Sequence, residues 1–456
     1  MTEPTTPSID LLRDRVAAAF PGLRADLESL VRIPSVSNSS FDPAHIAASA
    51  SAVANLLRGV GMPDVQILHA TSADGLRSRP AVIARRPAPD GAPTVLLYAH
   101  HDVQPPGADA DWDTPPFEPV ERAGRLYGRG AADDKAGVIA HVGALRVLAD
   151  ELAVGVTVFV EGEEEVGSPT FTAFLAQYSE LLAADVIIVA DSANWKVGVP
   201  GLTTSLRGLV DLEVQVAVLE HSVHSGMFGG PVLDALTLLS RLIATLHDDA
   251  GDVAVAGLVS APDPVVDYDE AELRADAALI DGVELAGTGP LTARLWARPA
   301  LGVIGIDAPS IALSSNTIVP RATAKLSLRI APGQDPAAAL EALTAHLLEH
   351  APFGARVTVT PGDLGRPFLA PADSDAMRAA RWAFKESWGT APVDIGLGGS
   401  IPFIADLLET FPAAAILVTG VEDPDSRAHG ANESVDLGDL EHVILAEALL
   451  LSRLAG

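Results

Sequence analysis

Five short segments carry side chains that could hold a metal ion. In Leu96-Leu97-Tyr98-Ala99-His100-His101-Asp102-Val103-Gln104-Pro105 an apolar run leads into His-His-Asp. Side chains along a strand alternate faces, so His100 and Asp102 share one side and His101 takes the other. His100 is then a candidate ligand, and Asp102 could orient a ligand from behind. The segment Leu126 to Lys135 sets Asp133 and Asp134 between a glycine-rich turn and an expected helix. One Asp is expected to cap that helix; the other is left over for chemistry. The apolar run Val156–Val160 leads into Glu161-Gly162-Glu163-Glu164-Glu165, four acids in five positions. Such acids repel one another unless cations neutralise them, and a divalent ion would do so. Ile187-Ile188-Val189-Ala190-Asp191 is a further strand ending in a carboxylate, and Arg427-Ala428-His429-Gly430-Ala431-Asn432-Glu433 adds a second histidine.

Each segment alone has an ordinary reading as a cap, a solvated charge run or a surface histidine. Together they place two histidines and several carboxylates at strand ends. That ligand set suits zinc, manganese or cobalt. Two ions about 3.5–4 Å apart, bridged by a carboxylate, would share a water, lower its pKa and polarise a carbonyl. A spare carboxylate beside them would take the proton.

The elements that must position these residues read as alternating strands and helices. A helix is expected over 8–32 with a break at Pro21–Gly22, and another over 43–59. Strands are expected at Ala81–Ala84, Thr94–Ala99, Val156–Glu161 and Asp185–Ala190, with helices at Ala136–Ala149 and Thr170–Tyr178. This is the pattern of an α/β domain with a covered sheet. The texture changes near Gly201. Gly208–Val218 and Ala322–Ile330 alternate apolar and polar, helices are expected at Pro231–Leu246 and Ala339–His350, and a strand at Arg356–Thr360. This suggests a smaller, one-sided α+β unit at 202–363, inserted into a catalytic domain of 1–201 and 364–456. A C-terminal helix is expected over Leu437–Leu454. The stretch from Leu258 to Pro309 carries no usable pattern.

Composition narrows the function further. The 456 residues carry a formal net charge of −30 and no cysteine. Acidity of this size repels phosphate backbones and anionic lipid, so no nucleic-acid or membrane partner is expected. Without cysteine there is no disulfide, thiolate metal site or thiol nucleophile. Met1–Asp10 has no leader pattern and no apolar run approaches a bilayer span, so a cytoplasmic protein is expected.

Taken in chain order, the five segments resemble the dinuclear zinc metallopeptidase family of carboxypeptidase G, aminoacylase and carnosinase. The resemblance spans His100 to Glu433 and implies two divalent ions per chain, zinc first with manganese or cobalt as alternatives. It implies His100, Asp133, Glu165, Asp191 and His429 as ligands, with Asp133 bridging. Glu164 becomes the general base and Asp102 the residue supporting His100. The family's fold is an α/β/α catalytic domain with a mixed sheet, interrupted by a ferredoxin-like two-layer α+β lid and dimerisation domain. In the lid, Glu220-His221-Ser222-Val223-His224-Ser225-Gly226 matches a segment whose histidine stabilises the oxyanion, which implies His224, acting across a homodimer.

His100-His101-Asp102-Val103-Gln104-Pro105 resembles the dipeptidase branch in particular. The same branch implies Arg329, Gly399, Ser400 and Thr317 as substrate-binding residues, Arg329 for a terminal carboxylate. Ala99 departs from the glycine common there, and His101 could be an alternative ligand. The expected activity is hydrolysis of the peptide bond of small dipeptides by a metal-activated water. N-acyl-amino-acid deacylation is the alternative enzyme, and a non-catalytic binding protein with a decayed site the alternative class.

Overall fold

The computed structural model describes residues 7–398 and 402–455. The chain separates into two compact units, residues 1–204, 370–395 and 406–456 forming one and 205–369 with 396–405 the other.

The first unit is built on a large mixed sheet. Its strands run in the order Asp64–Leu68, Ala81–Arg86, Gly155–Glu161, Thr94–His100, Val186–Val189, Ala415–Val418, Gly201–Leu206. The middle four are mutually parallel; the flanking pairs are antiparallel. Every residue of Gly155–Glu161 and Val186–Val189 is buried, as a strand covered on both faces requires. Helix Lys135–Leu148 packs on Thr94–His100, Phe171–Leu182 on Gly155–Glu161, and Asp375–Trp388 on Ala415–Val418. Helices Ile9–Val31 and Leu437–Leu454 pack on Lys135–Leu148 in turn.

Two local expectations fail here. Helix Ile9–Val31 runs unbroken through Pro21. Its buried stripe of Leu12, Val16, Leu23, Leu27, Leu30 and Val31 spans both sides of the proline, so tertiary packing outweighs the lost backbone bond. Asp134 occupies the N-cap position of Lys135–Leu148 but makes no side-chain capping bond. Its carboxylate accepts from the backbone N–H of His100 at 3.0 Å instead.

The second unit is a two-layer α+β sandwich. Four antiparallel strands lie in the order Ala300–Asp307, Arg321–Ile330, Gly208–Ala217, Arg356–Gly365. Helices Ala235–Ile243 and Pro336–Glu349 cover one face. Val210, Leu212, Val214 and Val216 point into that core with Leu326, Leu328 and Ile330, while Glu213 between them is exposed. The strand Ala300–Asp307 falls in the stretch without usable pattern. It lies at the sheet edge with six of its eight residues exposed, so it has no buried face to give an alternation.

Among the described residues no helix is long and apolar enough to cross a membrane. One close approach controls the strand ends of the first unit: a Cβ on Gly137 would sit 2.5 Å from the carbonyl oxygen of Ala190 and collide with the Asp134 carboxylate. Gly137→Ala should therefore lower stability by about 1–3 kcal/mol, measured by urea unfolding. Unchanged stability would show that the helix and the Ala190 strand end are not in this contact.

Candidate metal centre

The parallel strands bring their C-terminal ends together, where sheets of this kind build ligand sites. His100 closes its strand in register with Glu161 on one side, and Tyr98 pairs with Val189 on the other. Asp191 follows two residues later. The loop 128–134 brings in Asp133, and the loop after Ala415–Val418 brings in His429. That second loop must pass closely: a Cβ on Gly420 would overlap the carbonyl of Ser192.

Asp133 lies between the two histidines. Its Oδ1 is 3.0 Å from His100 Nε2 and its Oδ2 is 3.0 Å from His429 Nε2. Asp191 Oδ1 is 3.8 Å from His100 Nε2, and Glu165 Oε2 is 3.1 Å from His429 Nε2. Ligand atoms of His100, Asp133 and Asp191 all lie within 4.8 Å of one another, and those of Asp133, Glu165 and His429 do likewise. The two groups share Asp133.

The residues fit two divalent ions. His100 Nε2 and Glu165 Oε2 are buried with no well-aligned hydrogen bond, their near neighbours being other candidate ligand atoms at 3.0 and 3.1 Å. Both face the shared carboxylate, and a donor set of imidazoles and carboxylates suits zinc-type ions.

The supporting shell is specific. His100 Nδ1 is 3.2 Å from the carbonyl oxygen of Asp102, which leaves Nε2 to face Asp133. The Asp102 carboxylate accepts from Glu164 N at 3.2 Å and Glu165 N at 3.0 Å, so one side chain anchors both glutamates. Gln104 N donates to Glu165 Oε1 at 2.9 Å. The acidic run divides by function. Glu161 accepts from Tyr98 Oη at 2.7 Å. Glu163 accepts from Arg79 N at 2.8 Å and from Thr170 N at 3.1 Å. Of the four acids, only Glu165 belongs to a candidate ligand group. His101 is turned away, with Nε2 2.9 Å from the Pro80 carbonyl, and belongs to neither ligand group.

The profile of peptidase family M20/M25/M40 matches residues 96–453. The chain belongs to that family. It is 38% identical over 370 residues, 79% of this chain and 81% of the other, to a cysteinylglycine-S-conjugate dipeptidase of Corynebacterium striatum. It is 27% identical over 454 residues, 94% and 90% of the two chains, to a beta-Ala-His dipeptidase of Mus musculus. In fold it is similar to the solved di-peptidase Dug1p of Saccharomyces cerevisiae, with TM-score 0.77 at 21% identity over 99% of each chain. As a member of this family the protein is a hydrolase.

Of the peptidase's remaining expected site residues, His224, Thr317 and Arg329 lie in its second unit. His224 and Thr317 are register partners in a two-stranded ribbon, opposite one another. Arg329 lies in the sheet between Ala300 and Leu209. Gly399 and Ser400 fall outside the described residues. In the first unit, sequence reasoning passed over Glu422 as a member of the acidic cluster. Burial, then Asp133 and Asp191, push its carboxyl well above the usual range. The signal was available, since Glu422 and Asp423 follow the apolar run Ala415–Val418 as Asp191 follows its own strand. It also passed over His141, whose Nε2 is 2.9 Å from the Tyr98 carbonyl and whose Nδ1 is 2.9 Å from Glu447. That pair ties the C-terminal helix to the His100 strand.

Without cations the peptidase's centre holds protons. Hydrogen bonds that its ring donates to Asp133 and then to Glu165 push His429 up to about 11. Burial and then Asp133 push Glu165 up to about 7. An incoming ion must displace these protons, so its affinity should climb as pH rises through about 7 toward about 11. Zinc titration at neutral pH, in two buffers of different ionisation enthalpy, should show at least one proton released per chain. Binding without proton release would contradict the assignment of His429.

Proposed function

We propose that this peptidase hydrolyses the amide bond of dipeptides at a centre of two divalent ions. Its ligands are His100 and Asp191 for one ion, Glu165 and His429 for the other, with Asp133 common to both. The observation that carries this reading is the pair of 3.0 Å approaches that Asp133 makes to two imidazoles through its two oxygens. The named activities of the 38% and 27% identical relatives support the substrate class.

The ions, when bound, would polarise the scissile carbonyl and acidify a water. The chain supplies the proton traffic. Glu164 takes the proton of the attacking water and returns it to the leaving amine. Burial and then Asp191 push its carboxyl up to about 9 in the metal-free centre. Nearby cations act in the opposite sense, so Glu164 is an ionised base at neutral pH only when the centre is loaded. Asp102 holds the backbone of Glu164 and so aims it. His224 is assigned to the oxyanion, and Arg329, Thr317, Gly399 and Ser400 to the substrate's carboxyl end.

The first unit is read as the catalytic domain and the second as lid and dimerisation domain. The edge strand Ala300–Asp307 supports a homodimer. Val303, Ile304 and Ile306 are 39%, 59% and 52% exposed on it, and such an edge is a template for pairing. Light scattering should give twice 47.1 kDa. A fully active monomer would remove the dimer and any role for His224 across it.

Glu164→Ala should keep both metals and lose roughly 10²–10⁴-fold in kcat. Full turnover in that variant would remove Glu164 as base. A panel of free dipeptides and their N-acetylated forms, with and without chelator, tests the substrate class. Chelator-sensitive cleavage of free dipeptides is expected. Cleavage of the acetylated forms alone would make the protein an N-acyl-amino-acid deacylase.

A further inference from the structure

Glu433 is fully buried, yet it is not among the candidate ligands. Its Oε2 accepts from Arg129 Nη1 at 2.6 Å and Gly130 N at 2.9 Å. Its Oε1 accepts from Ala132 N at 2.9 Å and Asp133 N at 3.0 Å. Its own carbonyl accepts from Gly128 N at 2.9 Å. Two donors on each oxygen fill the lone pairs of one carboxylate. Three of the four donors are backbone amides, so Glu433 holds a course of backbone, and that course ends at Asp133.

Arg129 does a second job with its other arm. Its Nη2 donates to the carbonyl of Gly430 at 3.0 Å, beside His429. The His429 loop needs such an anchor, because Arg427, His429 and Asn432 all adopt left-handed backbone without being glycine. The planar fork of an arginine reaches both groups at once; a lysine would reach one.

We propose that Glu433 and Arg129 are a positioning pair for the metal centre. Glu433 sets the backbone of the shared ligand Asp133, and Arg129 ties that loop to the loop of His429. The inference rests on the ligand assignment above and adds an asymmetry to it. The ion held by Asp133, Glu165 and His429 draws two of its ligands from the tied loops. The ion held by His100, Asp133 and Asp191 draws only one.

The test titrates the metal-stripped, full-length chain with cobalt(II), followed by calorimetry and visible absorption. Wild-type protein should take up two ions. His429→Ala marks which binding phase belongs to the His429 ion. Glu433→Gln puts an amide NH2 against two N–H donors. It should weaken that phase by roughly ten- to a hundredfold and the other phase less. Arg129→Lys keeps a charge beside Glu433 but loses the fork, and should weaken the same phase by a smaller factor. Thermal melts of the metal-free variants report folding separately. Two wild-type phases in Glu433→Gln, or equal weakening of both, would overturn the proposal. Should Glu433→Gln not fold, Arg129→Lys decides, and unchanged binding there overturns it equally. A wild-type chain that binds no cobalt would remove the ligand assignment itself, and this proposal with it.

Discussion

The structure turns on a charge imbalance. Asp133, Glu164, Glu165, Asp191 and Glu422 are gathered at one end of a sheet, with His100 and His429 against them. Buried carboxylates at this density protonate, pair with cations or open the fold. The metal-free centre takes the first course: Glu164 and Glu165 are pushed up to about 9 and about 7, and His429 keeps its proton. Divalent ions would reverse every one of these shifts together. On the function proposed, the same cluster would be a poor base when empty and a competent one when loaded.

The fold is arranged to deliver that imbalance to one place. Parallel strands end in register, so His100, Glu161 and Asp191 emerge side by side. Glycine at 137 and 420 lets helix and loop backbone close onto the strand ends without a Cβ between them. Acids near the ligands, Asp102, Asp134 and Glu163, accept backbone N–H groups. Their charge holds backbone in place, and the candidate ligands are left facing one another.

Much of this was legible in the residue pattern, for a definite reason. A buried strand that ends in a charged residue breaks the apolar run at one position, so His100, Glu161 and Asp191 stand out, whereas Glu165 was singled out from its acidic run only by the family resemblance. Leu437–Leu454 was expected as a helix and is one, because its apolar residues recur at helical spacing over five turns. What was not legible depends on partners distant in sequence. Asp134 stands where a capping residue would, and only the fold brings the His100 amide to it. Glu161 and Glu163 read as part of a cation site, and only the fold supplies Tyr98 and Thr170 as their donors. Pro21 reads as a break, and only the packing of the stripe around it keeps the helix whole. Ala300–Asp307 is solvent-facing along most of its length, so burial left no mark on its sequence.

The most direct test is anomalous X-ray diffraction from crystals grown with zinc. The account predicts two peaks per chain, one touching His100 and Asp191, the other Glu165 and His429, and both touching Asp133. A single peak, or peaks that leave Asp133 uncoordinated, would contradict it.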